Sequence, residues 1–223
     1  MDRLIVTLDG PAGSGKSTVA RRLAARLGLD FLDTGAMYRA VTLVALDRGV
    51  DPSDGFACAA VAEECSLEFD DDGRILIGGM PGEPAIRGPE VTRHVSEVAA
   101  HPGVRRALVA QQREVARAAL RAGGGTVAEG RDTTSVVFPD ADLRVFLVAS
   151  PRVRAERRAR EEGAPERAEE YERDLERRDR FDSERADSPL LEVPGSLRLV
   201  TDDLDPDEVV ERLAREAAAL GER

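Results

Sequence analysis

The segment Gly10-Pro11-Ala12-Gly13-Ser14-Gly15-Lys16-Ser17 constrains this chain more than any other, because it meets the pattern GxxxxGK[ST] at all four fixed positions. A loop of that kind needs a buried strand before it and a helix after it, and both can be read. Leu4-Ile5-Val6-Thr7-Leu8 is a short, apolar, β-branched run of the sort covered on both faces of a parallel sheet. Val19, Leu23 and Leu27 then recur every four residues with Ala20 and Ala24 beside them, while Arg21, Arg22 and Arg26 take the opposite face and Gly28 offers a stop. Strand, glycine loop and helix together predict an α/β fold, a P-loop parallel sheet flanked by helices.

The loop dictates a chemistry. Gly10, Pro11, Ala12, Gly13, Ser14, Gly15, Lys16, Ser17 and Thr18 are expected to wrap the phosphates of a nucleotide with backbone N–H groups and a helix N-terminus. Lys16 would reach the outer phosphates and the Ser17 hydroxyl would ligate Mg²⁺. Of the 32 lysines and arginines, Lys16 is the single lysine. A chain so biased toward arginine keeps a compact ammonium where a flexible point charge is needed.

Net charge is −11, which disfavours a nucleic-acid surface, since that requires a basic stripe. A polyanionic ligand is compatible with an acidic chain only if arginines converge on a cleft while acids cover the exterior. The apolar runs are far shorter than a membrane span and the N-terminus enters the first strand directly, so a cytoplasmic protein with no membrane partner is expected. Cys58 and Cys65, seven apart on one expected helix face, read as buried free thiols, and with His94 and His101 the only histidines a zinc site is not expected.

Beyond the first βα unit, Phe31-Leu32-Asp33-Thr34-Gly35 reads as a connection into a helix from about Ala36 to Arg48, closed by Gly49, and Asp51-Pro52 opens another. Residues 66–69 and 74–77 alternate around the turn Asp70-Asp71-Asp72-Gly73 like an exposed hairpin, with Glu83 to Ile86 as a third strand. A helix over 104–121 turns Val104, Leu108, Val115 and Ala119 inward and stops at Gly123-Gly124-Gly125 before a strand over 126–129. Residues 143–148 form the next strand. Residues 151–185, dense in arginine and acid, read by default as a solvated helix face laced with i,i+4 pairs. A strand over 197–200 and a helix from Pro206 to Leu220, capped by Asp205 and closed by Gly221, finish the chain.

The P-loop, Asp33-Thr34-Gly35-Ala36-Met37-Tyr38-Arg39, Glu129-Gly130-Arg131-Asp132, Val136-Val137-Phe138-Pro139-Asp140 and Arg178-Asp179-x-x-Asp182-x-x-Arg185-x-x-x-Pro189-Leu190 closely resemble bacterial cytidylate kinase over essentially the whole chain. The resemblance implies one kinase domain over 1–223, with a monophosphate-binding region at 33–105 that includes a β-rich insert at about 66–88, and a helical lid at 151–170. It implies Mg·ATP and CMP or dCMP as the small-molecule substrates of a monomer. Arg39 and Arg131 would clamp the acceptor phosphate, with Thr34 and Tyr38 on the same side; Arg178 and Asp182 would hold the sugar; Ser96, Arg105, Asp132 and Arg185 would surround the cytosine. Arg154, Arg157 and Arg158 resemble lid arginines that fold over the ATP phosphates. Glu129 stands where an acid can lie near Mg²⁺ or serve structure, and Asp33 either lines the substrate or caps a helix. The family continues GRD with an aliphatic residue and a glycine, whereas this chain has Thr133-Thr134, which a positive φ would strain.

This residue set suits transfer to a phosphate. A monophosphate is already largely dianionic at neutral pH and needs no general base, so arginines for positioning and charge stabilisation are expected in place of a histidine. Another small kinase acting on adenylate, shikimate or dephospho-CoA shares the loop but not the β insert or the late Arg/Asp pattern. A regulatory GTPase would carry NKxD, which a chain whose one lysine is Lys16 cannot supply. A nucleic-acid-dependent ATPase is opposed by charge and size.

Overall fold

A computed structural model describes residues 4–70, 72–185 and 187–220 of the 223. In chain order the elements are β1 (Ile5–Asp9), α1 (Lys16–Leu27), β2 (Asp30–Asp33), α2 (Thr34–Asp47), α3 (Gly55–Glu64), β3 (Leu67–Phe69), β4 (Ile75–Ile77) and β5 (Met80–Pro81). They continue with α4 (Pro89–Val98), α5 (Pro102–Arg121), β6 (Thr126–Gly130), β7 (Leu143–Val148), α6 (Pro151–Glu161), α7 (Ala168–Glu184), β8 (Leu197–Val200) and α8 (Pro206–Leu220). The chain divides into two compact units, one of Met1–Phe31 with Gly123–Arg223 and one of Leu32–Ala122.

The first unit carries the main sheet, ordered β2-β6-β1-β7-β8. β1 runs parallel to β6 and β7, and β7 parallel to β8. Since β6 and β7 lie on opposite sides of β1, the strand order reverses at β1, and the region beyond its carboxyl end is where such folds place ligands. The phosphate loop follows β1, Arg131 follows β6 and the first residues of α6 follow β7, so three connections converge there. Val6 and Leu8 of β1, Val127 of β6, and Val145 and Leu147 of β7 pack with Val19 and Leu23 of α1 and Val209 and Leu213 of α8 into one core. Gly28 ends α1 in the left-handed region at φ 67°, as a C-terminal glycine should. Gly221, the expected stop of α8, lies outside the described residues.

The second unit is helical apart from a small antiparallel sheet ordered β3-β4-β5. Several expectations need correction here. Residues 30–33 form a strand instead of a plain connection, and α2 begins at Thr34. α3 begins at Gly55 because Asp54 Oδ1 accepts from the Phe56 and Ala57 amides, while Asp51 is engaged by Ser53. Gly78 and Gly79, at φ 56° and 78°, turn the chain so tightly that the third strand is Met80–Pro81, and residues 85–87 form a 3₁₀ turn. α4 was not anticipated, although Pro89 at its first turn and Val91, Val95 and Val98 on its buried face signal it. On α5, Ala116 is buried while Val115 is only half-buried. Cys58 and Cys65 are buried and free, but Cys65 lies just past the end of α3, and burial pushes both thiols up. Among the described residues no helix is long and apolar enough to cross a membrane.

Candidate active site

Two glycines let the loop after β1 exist. A Cβ on Gly10 would fall 2.1 Å from the Leu147 carbonyl oxygen, and Gly15 sits at φ 87° immediately before α1. The cradle so formed opens onto the α1 N-terminus, where unpaired backbone N–H groups favour an anion. Lys16 is buried; its Nζ donates to the Pro11 carbonyl at 2.7 Å and to Ser14 Oγ at 3.4 Å. Burial, aided by Arg131 and Arg178 and opposed by Glu129 and Asp9, pulls the ammonium from 10.5 to about 7. The Ser17 hydroxyl donates to Glu129 Oε1 at 2.7 Å, and Glu129 is buried at the carboxyl end of β6.

Ser17 and Glu129 are hard oxygen donors of the type Mg²⁺ selects. Among the described residues no group of three or more His, Cys, Asp or Glu could hold a metal by itself. That donor set fits an ion that takes one or two protein oxygens and draws the rest of its shell from phosphates and water.

Around the same loop, Arg131 Nε donates to Asp182 Oδ2 at 2.9 Å, and Arg185 lies 3.8 Å from the other oxygen of Asp182. Burial by itself would raise the Asp182 carboxyl, but Arg131, Arg178 and Arg185 hold it below its ordinary range. Arg185 also donates to the Ser188 carbonyl at 3.0 Å. Asp132 is buried, and its carbonyl accepts from Val136 and Val137 to start a single π turn over Thr133–Val137.

The Thr133-Thr134 departure from the family pattern is accommodated without strain. Ser188 is the only residue other than glycine with positive φ among those described. Thr133 N and Oγ1 both donate to Asp9 Oδ1, at 3.0 and 2.8 Å, and Thr134 N donates to Asp9 Oδ2 at 2.7 Å. Thr134 Oγ1 meets Thr7 Oγ1 at 2.9 Å. A buried Asp9 is thereby satisfied, and each threonine uses its hydroxyl where a glycine would have none.

The three lid candidates separate by environment. Arg154 is buried, donating through Nε to the Ala149 carbonyl at 3.0 Å and through a terminal nitrogen to the Ala12 carbonyl at 2.9 Å. Arg157 donates to the Thr201 carbonyl and hydroxyl at 2.5 and 3.2 Å. Arg158 is exposed and pairs with Glu162 at 2.5 Å and Glu161 at 3.9 Å, the helix-face pattern expected for this segment. Sequence reasoning assigned no role to Asp9 or Asp179. The first could have been found as an acid at a buried strand end, and the second lies inside the late Arg/Asp pattern.

In the second unit Asp33 caps α2, accepting from the Ala36 amide at 2.8 Å, and lies 3.6 Å from Arg87. Thr34 and Tyr38 are buried on α2. Arg39 donates to the Ile86 carbonyl at 3.3 Å and Thr92 Oγ1 at 3.0 Å. Arg105 is buried on α5, donates to the Ala99 carbonyl at 3.0 Å, and stacks over Tyr38 at 5.3 Å. Ser96 is half-buried on α4.

A family model described as Cytidylate kinase matches residues 6–219. A bifunctional pantoate ligase/cytidylate kinase of Synechococcus sp. (strain CC9902) is 47% identical over 220 residues, covering 95% of this chain and 44% of the relative. A protein of the same name from Prochlorococcus marinus (strain MIT 9303) is 49% identical over 218 residues, covering 94% and 43%. This chain thus spans less than half the length of these curated relatives. Among solved structures, an uncharacterized protein from Eubacterium ventriosum ATCC 27560 is similar with a TM-score of 0.51 at 12% identity, over 96% of this chain and 98% of that one. A gluconokinase from Sinorhizobium meliloti 1021 gives 0.50 at 17% identity, over 99% and 94%. At such identities these two speak to the fold alone.

Proposed function

This chain belongs to the cytidylate kinase family, and from that premise we propose that it transfers the γ-phosphoryl group of ATP to CMP or dCMP, giving ADP and CDP or dCDP. The observation that carries the reading is the buried Lys16 at the mouth of the phosphate loop, with Arg131 and Arg178 acting on it, in a chain of net charge −11. Three cations gathered against their mutual repulsion suit a polyphosphate.

The acceptor needs no base, because its phosphate already bears the attacking oxygen in ionised form. Lys16 turns from the Pro11 carbonyl to the outer phosphates of ATP, and the loop amides hold the phosphate chain. Ser17 and Glu129 would hold Mg²⁺, which would supply charge neutralisation at the donor phosphates. Arg39 and Arg131 grip the acceptor phosphate with planar forks, Thr34 and Tyr38 line it, and Asp33 serves by fixing the α2 start. Arg178 and Asp182 take the sugar; Ser96, Arg105, Asp132 and Arg185 take the cytosine edge, whose amino group donates while its carbonyl and ring nitrogen accept. Residues 33–105 form the monophosphate-binding region and 151–170 a lid whose Arg154, Arg157 and Arg158 serve the transferring phosphate. The enzyme is assigned as a cytoplasmic monomer.

Coupled turnover with CMP, dCMP, UMP, AMP and shikimate tests the reading. Cytosine nucleotides should lead, with UMP behind by about 1–3 kcal/mol per buried group left unpaired. Equal or better activity on a non-cytosine acceptor removes the cytosine assignment. Arg185→Ala should erode the CMP/UMP ratio more than ATP affinity.

A further inference from the structure

Both backbone groups of Ala12, in the middle of the phosphate loop, are held by a single ion pair supplied by the two helices after β7. The Ala12 amide donates to Asp179 Oδ1 of α7 at 3.2 Å. The Ala12 carbonyl accepts from the Arg154 guanidinium of α6 at 2.9 Å, and that same nitrogen pairs with Asp179 Oδ2 at 2.6 Å. The three groups close a ring: amide to carboxylate, carboxylate to guanidinium, guanidinium to carbonyl. At the next residue, a Cβ on Gly13 would stand 3.3 Å from Arg154 Cβ and 3.7 Å from Leu175 Cδ1, so the loop and the two helices approach closely at two successive positions. α6 and α7 are held to each other by Ala155, Ala159, Tyr171 and Leu175.

We propose that Asp179 is a positioning residue for the donor-phosphate loop, acting through the Ala12 amide and through Arg154. The inference rests on the reading that ATP phosphates occupy this loop. A phosphate cradle works by aiming several amides at once, and the aim of each depends on how the neighbouring peptides are turned. The Ala12 carbonyl shares a peptide plane with the Gly13 amide, and the Ala12 amide shares one with the Pro11 carbonyl that Lys16 touches, so pinning both polar groups of Ala12 restricts two successive planes of the cradle. Asp179 holds the Ala12 amide with one oxygen and uses the other to keep Arg154 on the carbonyl. Asp182, three residues on, binds Arg131, so this stretch of α7 holds both the loop and the acceptor-side arginine.

The test compares wild type, Asp179→Ala and Asp179→Asn by steady-state kinetics, titration of a non-hydrolysable ATP analogue and thermal melting. Asp179→Ala should raise KM for ATP and the analogue Kd by about tenfold while KM for CMP moves less than about twofold. Asp179→Asn keeps an acceptor for the Ala12 amide but loses the charge on Arg154, and should fall between the two. A merely structural role would lower the melting temperature and active fraction with both KM values unmoved, and would overturn the proposal; so would an equal rise in both KM values. Should Asp179→Ala fail to fold, the same split read on Asp179→Asn decides. Wild type that neither binds the analogue nor phosphorylates CMP would sink the functional reading itself, a result distinct from a normal wild type beside a normal variant.

Discussion

The phosphate loop and the α6–α7 pair place their cations under opposite conditions. The loop holds one cation, Lys16, buried and bonded to a backbone carbonyl and a hydroxyl. Along α6, α7 and the turn between them arginines are plentiful, and four are matched by an acid three or four residues away: Arg152 with Glu156, Arg158 with Glu162, Arg167 with Glu170, Arg177 with Asp174. Such exposed pairs add little to stability. Arg154 differs from them, with a side chain 4% exposed against 49% for Arg158. What separates an arginine that shapes the site from one that solvates a helix is a backbone carbonyl partner and burial, neither of which residue type reveals.

The largest effect expected from breaking this contrast is at Lys16. Lys16→Arg puts a wide planar head where a compact ammonium fits, and kcat should fall by about a thousandfold with the fold retained, read by turnover and melting. Next, Arg154→Ala leaves Asp179 facing the loop without its buried partner and should cost about 3 kcal/mol in denaturant unfolding, whereas Arg158→Ala should stay within about 0.5 kcal/mol. Equal costs would erase the distinction between the two arginines. Thr133→Val removes one donor from the buried Asp9 carboxylate and should cost about 2 kcal/mol by the same unfolding measurement.

The smallest expected effect is one of pH. Lys16 must be charged to hold phosphate, and its ammonium lies at about 7. Affinity for a non-hydrolysable ATP analogue should therefore weaken above pH 7 by up to about tenfold per unit, with a proton taken up on binding, as calorimetry in buffers of different ionisation enthalpy would register. For stability the sign is opposite. Between about 7 and the ordinary 10.5 the unfolded chain binds the proton that the native chain has lost, so this group's contribution rises with pH across that window. The gap in melting temperature between wild type and Lys16→Met should shrink over the same range.

Much of the fold was legible because local signals agreed with one another. β1, the loop and α1 announced themselves through β-branched residues, glycines and a four-residue apolar repeat, and Gly28 closes α1 as its position suggested. The failures occurred where two local signals competed or where a distant partner decided. Asp51 was expected to open α3, yet Asp54 caps it, because the Asp54 carboxylate accepts from the Phe56 and Ala57 amides while Asp51 is taken up by Ser53. The π turn at Thr133–Val137 follows from Asp9, more than a hundred residues away in sequence, accepting from both threonines. Asp179 was visible as a letter in a pattern, but its purpose depends on the Ala12 peptide, which no spacing rule connects to it.

A crystal structure with CMP and a non-hydrolysable ATP analogue would show directly whether the loop after β1 and its surrounding cations receive two phosphate chains. Lys16 Nζ should have moved from the Pro11 carbonyl onto the outer phosphates of the analogue, with Arg39 and Arg131 on the phosphate of CMP. Nucleotides bound elsewhere, with Lys16, Arg39 and Arg131 turned to bulk solvent, would contradict that placement.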